Sequence, residues 1–110
     1  MREKKEILTK TVKIDWLAIS EHGHSNGYIG VPKGHVWYGK HYDDIECDVH
    51  GGLTFGKQGE DSLHFKDFPD HYWLGFDTCH CDDNQHNWTL KAVKKEVENL
   101  KKQAIEADNV

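Results

Sequence analysis

The sequence predicts an α+β domain: a small, mostly antiparallel sheet of four or five strands with one long C-terminal helix. Three observations carry this. Apolar and polar residues alternate over 12–18 and 45–50, a period of two. Short aromatic runs bounded by glycine and polar turns recur through the middle of the chain. Leu90, Val93, Val97, Leu100 and Ala104 recur at spacings of three and four, which is one face of a helix. A chain of 110 residues is one domain's length, read here as a single domain. Its parts are an N-terminal extended segment over 1–26, a core over 27–83 and the helix over 88–107.

Taken in order, Ile7 to Ser20 reads as extended, with Val12, Ile14, Trp16 and Ala18 on one side. The stretch from Glu21 to Gly27 is turn-rich, and Asn26-Gly27 ahead of Tyr28–Val31 predicts a hairpin turn into a second strand. Pro32 ends that strand because it cannot donate to a ladder. His35 to Asp44 is aromatic and polar, broken by glycine, and reads as an ordered loop. Ile45–His50 is the clearest strand, with Ile45, Cys47 and Val49 pointing one way and Glu46, Asp48 and His50 the other. Gly51-Gly52 permits a bulge, and Leu53–Phe55 resumes an extended course. Gly56 to Asp70 reads as a polar loop. Tyr72–Cys79 is a further strand, with Trp73, Gly75, Asp77 and Cys79 on one face. Trp16, Trp73 and Phe76 are expected core residues. Thr89 to about Ala107 is the helix. Its apolar stripe is expected to pack on the chain's own sheet; a helix–helix seam, and hence a homo-oligomer, is the alternative.

Composition narrows the function. Hydrophobic residues are 36% of the chain and charged ones 30%, so the aliphatic core is thin, and four Trp, four Tyr and four Phe must help fill it. No apolar run has the length of a membrane span. The start, Met1 to Glu6, is not followed by a signal-peptide apolar stretch, so the three cysteines are expected to be reduced and the protein cytoplasmic. The net charge of −5 is unevenly spread: +3 over residues 1–13, −9 over 14–90 and +1 over 91–110. A field of that sign repels a phosphate backbone and argues against general nucleic-acid binding. No Gly-rich phosphate loop, nucleophile elbow or paired-histidine zinc helix is present.

Three constellations remain. Cys47, His50, Cys79 and Cys81 form a legitimate zinc set at a poor spacing, since alternation sends Cys47 and His50 to opposite faces. Asp48, His50, Asp77 and His80 offer carboxylate and imidazole near two strand ends, the ligand set of a divalent metal or the acid–base set of a hydrolase. Aromatic and polar residues among glycines form a candidate ligand pocket. There Trp37 and Tyr38 would wall a ring. Lys33, Lys40 and the Gly51 and Gly52 amides would meet phosphate, and His35, His50, Asp77 and His80 would hydrogen-bond the ligand.

The stretches Gly27-Tyr28-Ile29-Gly30-Val31-Pro32-Lys33-Gly34-His35, Tyr38-Gly39-Lys40, Tyr42-Asp43-Asp44-Ile45, Val49-His50-Gly51-Gly52-Leu53-Thr54-Phe55 and Trp73-Leu74-Gly75-Phe76-Asp77 with His80 resemble a family of small uncharacterised phage and prophage proteins. Cys47, Cys79 and Cys81 depart from that family's pattern, which moves weight from zinc to His35, Tyr38, His50, Asp77 and His80. The resemblance implies a phage setting, where small proteins without enzyme motifs often act by binding. The leading expectation is therefore a small-ligand binding protein, without a cofactor, that sequesters a nucleotide-type immune signal in the host cytoplasm. The alternatives are a His/Asp hydrolase, with or without a divalent metal, and a protein–protein inhibitor of a host factor.

Overall fold

Tyr72–Phe76 is apolar at every position, so it needs cover on both faces, and this requirement organises the molecule. The computed structural model describes residues 6–14, 24–63, 65–77 and 89–108. They form a four-stranded antiparallel sheet with one helix across it, the α+β architecture expected. The strands are β1 (Leu8–Ile14), β2 (His24–Val31), β3 (Phe55–Gln58) and β4 (Tyr72–Phe76), in spatial order β1-β2-β4-β3. The helix α1 runs Leu90–Asp108. All five residues of β4 are buried, as a central strand covered on both sides must be.

Strand alternation divides the core in two. On the helix side, Ile29 and Val31 of β2 and Tyr72, Leu74 and Phe76 of β4 meet Val93, Val97, Leu100 and Ala104 of α1. The helical stripe is thus spent on the chain's own sheet, which removes it as a seam between copies. Trp37, Ile45 and Val49 complete this core from the loops. On the other side, Tyr28, Trp73 and Phe65 pack together, with Leu8, Val12 and Phe55 around them. The Phe65 ring stacks on Trp73 at 4.3 Å and 12°. Trp73 and Phe76 are core as expected; Trp16 lies outside the described residues.

Three expectations need correction. Asn26-Gly27 is not a turn: both residues lie within β2, opposite Val12 and Thr11. Glycine is needed there for close approach, since a Cβ at position 27 would sit 2.4 Å from Val97 and 2.6 Å from the Phe76 ring. The extended course expected to end at Phe55 runs on into the segment read as a polar loop: Phe55–Gln58 is β3, paired with β4 from Phe55↔Gly75 to Gln58↔Tyr72. Its Gly-Lys-Gln sequence lacks an apolar face because it is an edge strand.

The third correction concerns residues 45–50, which join no sheet. Their alternation is real: Ile45 and Val49 are buried, while Glu46 and Asp48 are exposed. The backbone bonds go instead to side chains of α1. The Gln103 amide both accepts from Asp48 N–H and donates to Asp48 C=O, each at 2.7 Å. Asn99 Nδ2 donates to the same carbonyl at 3.1 Å, and Glu96 Oε2 accepts from His50 N–H at 3.2 Å. Glu96, Asn99 and Gln103 recur at spacings of three and four, so they form one ridge of the helix. That ridge takes the place of a partner strand.

Candidate functional site

The expected site residues fall into two groups at opposite ends of the sheet. Val31 pairs with Tyr72 and Gly27 with Phe76, so the segment after β2 begins at the Tyr72 end, whereas Asp77 lies at the other. From Tyr72 to Asp77 is five residue steps along a strand, about 17 Å at ~3.3 Å per residue.

At the Tyr72 end, Lys33 and Lys40 are exposed, but their neighbours are structural. His35 is 6% exposed. Its Nδ1 accepts from Trp37 N–H at 2.9 Å, which leaves the proton on Nε2, and Nε2 donates to Ala104 C=O at 2.8 Å. Trp37 is buried in the core. Tyr38 Oη donates to Gln58 Oε1 and Tyr72 Oη donates to Lys40 C=O, both at 2.9 Å. His35, Trp37 and Tyr38 therefore spend their polar tips or their bulk on holding this loop to α1 and the sheet. These structural bonds differ from the pocket roles expected of them, and Lys33 and Lys40 lie on the same loop.

At the other end lie His50, Gly51, Gly52 and Asp77, on two segments joined by one backbone bond. Gly52 N–H donates to Val49 C=O at 2.9 Å, closing a turn whose third residue, Gly51, has φ 67°. A positive φ at that position is what a type II turn needs, and glycine adopts it without strain. Gly52 follows at φ 78°, with open space where a side chain would be. Thr54 N–H then donates to Gly75 C=O at 2.9 Å. Gly52 and Asp77 each lie two residues further along in the same direction, because the strands are antiparallel. Half-buried His50 completes the group, its backbone tied to Glu96 of α1. The Glu96 carboxylate is itself positioned, since Asn99 Nδ2 donates to its Oε1 at 2.7 Å.

His80, also expected here, lies outside the described residues, as do Cys79 and Cys81 of the zinc reading. Among the described residues, no three His, Cys, Asp or Glu side chains come together as a metal site, so Asp48, His50 and Asp77 of the expected Asp48, His50, Asp77 and His80 set are not gathered. Asp48 is exposed, with its backbone committed to Gln103 and Asn99. The residues that sequence reasoning missed are Glu96, Asn99 and Gln103. Their signal was present: each immediately precedes a residue of the apolar stripe.

Chemically, this end presents carboxylates, an imidazole and exposed glycine backbone. It is a site of acceptors with one group that both donates and accepts. The expected phosphate grip of Lys33 and Lys40 is not part of it.

Two protonation equilibria are perturbed. Burial raises the Cys47 thiol above its ordinary value, and the Asp48 carboxylate adds to the effect. Burial likewise raises Tyr72. In both, folding favours the protonated form. Their stabilisation is complete below the unfolded-state pKa and is lost as pH rises through the folded value. We therefore expect unfolding free energy to fall on the alkaline side of about pH 9. Tyr72→Phe should flatten part of that decline in a urea-denaturation pH series. A pH dependence unchanged by the substitution would contradict the assignment.

No family model matches the chain, and neither a curated protein nor a solved structure is similar to it. No helix among the described residues is long and apolar enough to cross a membrane.

Proposed function

We propose that this chain is a small-ligand binding protein whose site is the end of the sheet where His50, Gly51, Gly52 and Asp77 meet. The observation that supports this reading is the Thr54 N–H to Gly75 C=O bond, which ties the segment after the glycine turn to the strand that precedes Asp77. The turn is anchored from behind through His50 N–H and Glu96, so it meets a ligand already ordered. Preorganisation of that kind lowers the ordering cost of binding. Acceptors dominate the site, so the favoured ligand presents hydroxyl or ring N–H donors. Within the nucleotide class, those are the ribose and base edges. In the phage setting, the task would be capture of a nucleotide-type host signal.

The test is calorimetric titration with a panel of mononucleotides and cyclic dinucleotides, followed by heat release and analysis of the recovered ligand. We expect binding with intact recovery. His50→Ala and Asp77→Asn should each weaken it at least tenfold, while a Lys33→Ala/Lys40→Ala double variant binds like the parent. Conversion of the nucleotide would replace binding with catalysis. No binding by any member would point to a protein target and overturn the proposal.

A further inference from the structure

We propose that the cleft between β1 and α1 is a second binding site, for a small zwitterion of the amino-acid type. The cleft arises from how β1 spends its side chains. Its apolar residues Leu8 and Val12 face the Tyr28–Phe65–Trp73 core, so the positions facing the helix are Thr9 and Thr11. Threonines do not draw α1 down over the sheet edge. A cleft of about 220 Å³ remains, lined by Thr9, Lys10, Thr11, Lys94, Val97 and Glu98.

Its lining sorts by chemistry. Val97 is buried and supplies an apolar floor. Thr9 and Thr11 alternate to one face of β1, about 7 Å apart at two strand steps. Lys94 and Glu98 are one helical turn apart on the facing wall, with Cβ atoms roughly 5–6 Å apart. Among the described residues, neither Lys94 nor Glu98 makes an ion pair or a side-chain hydrogen bond. Lys10 contributes its backbone, since its ammonium lies 5.2 Å from the Phe65 ring centroid on the opposite face. One cation, one anion, two hydroxyls and a methyl-lined floor complement a molecule carrying a carboxylate and an ammonium on a short aliphatic body. The carboxylate would meet Lys94 and the threonine hydroxyls, the ammonium Glu98 and the aliphatic part Val97. A volume below the ~300–1,000 Å³ of drug-sized pockets fits a ligand that small.

The experiment is an amide NMR titration of the full chain with L-valine, with isobutylamine and isobutyrate as single-charge comparisons. We expect L-valine to shift the amides of Thr9, Thr11, Val97 and Glu98, with a dissociation constant on the order of millimolar. Lys94→Gln and Glu98→Gln, both at exposed positions, should each weaken binding at least fivefold with an unchanged amide spectrum elsewhere. No shifts at these residues would overturn the proposal. Binding of either single-charge compound as tight as that of L-valine, or parental affinity in either variant, would overturn it too.

Discussion

Gly59→Ala is expected to destabilise the fold by about 3 kcal/mol, the upper part of the range for overpacking a closed site. Residues 59–63 and 65–71 lie on the far face of the sheet and are linked by a succession of turn bonds. Ser62 N–H donates to Gly59 C=O, Phe65 to Ser62, Phe68 to Phe65 and His71 to Phe68, and Gly59 N–H closes the circuit on His71 C=O. A Cβ at position 59 would sit 2.2 Å from the Phe68 carbonyl oxygen and 3.0 Å from that of Phe65. Both obstacles are backbone, and both oxygens already accept turn bonds, so neither yields without opening the coil. The coil carries Phe65 onto Trp73, and Trp73 Nε1 donates to Phe68 C=O at 3.5 Å. Loosening it uncovers the aromatic core. Urea denaturation should show the loss, with a red shift of native-state tryptophan emission. A variant within 0.5 kcal/mol of the parent, an effect expected of an unremarkable surface site, would show that the coil is not fixed as described.

His35→Ala should cost a similar amount, about 3 kcal/mol, from an orphaned buried donor together with a cavity. The imidazole joins the 32–40 loop to the last turns of α1 through Trp37 N–H and Ala104 C=O. Val36 N–H donating to Asp108 Oδ1 at 3.2 Å belongs to the same clasp. Without the ring, Trp37 N–H has no acceptor in a residue only 5% exposed. The edge-on contact of His35 with the Trp37 ring, at 5.5 Å, is lost as well. His35→Phe keeps that packing and removes only the hydrogen bonds, so it should fall between parent and Ala. A melting temperature lowered by roughly 10 °C or more is the expected reading for His35→Ala. Equal stability of His35→Ala and the parent would return His35 to the pool of ligand-binding candidates.

Where the sequence spoke clearly, it did so through side chains that must be buried. The α1 stripe and the apolar run of β4 leave few alternatives: the helix formed as read, and the strand formed over Tyr72–Phe76, with Asp77 of the expected Tyr72–Cys79 span already outside it. Residues 45–50 show how far that logic reaches. Their alternation correctly assigned inward and outward residues, but alternation says nothing about what receives the backbone bonds. A ridge of Glu96, Asn99 and Gln103 did so in place of a strand. Asn26-Gly27 carries a strong turn signal, and the close packing of Val97 and Phe76 overrode it. The edge strand β3 was invisible because Gly56-Lys57-Gln58 resembles loop composition.

The site was half legible for a related reason. A histidine among glycines and aromatics reads the same whether it serves a ligand or the core. His35 and His50 looked alike in the sequence. In the structure both ring nitrogens of His35 are engaged by backbone groups of Trp37 and Ala104. Gly51-Gly52 and Asp77 were assigned to one pocket from composition alone; the pairing of β3 with β4 that links their segments was not legible.

One end of the sheet is proposed as the place where a ligand is held. Mapping amide shifts on titration with the tightest-binding nucleotide of the panel tests this directly. Perturbations are expected to be confined to residues 49–54, 75–77 and the helix around Glu96 and Asn99. Perturbations centred on Lys33–Lys40, with residues 49–54 unmoved, would contradict it.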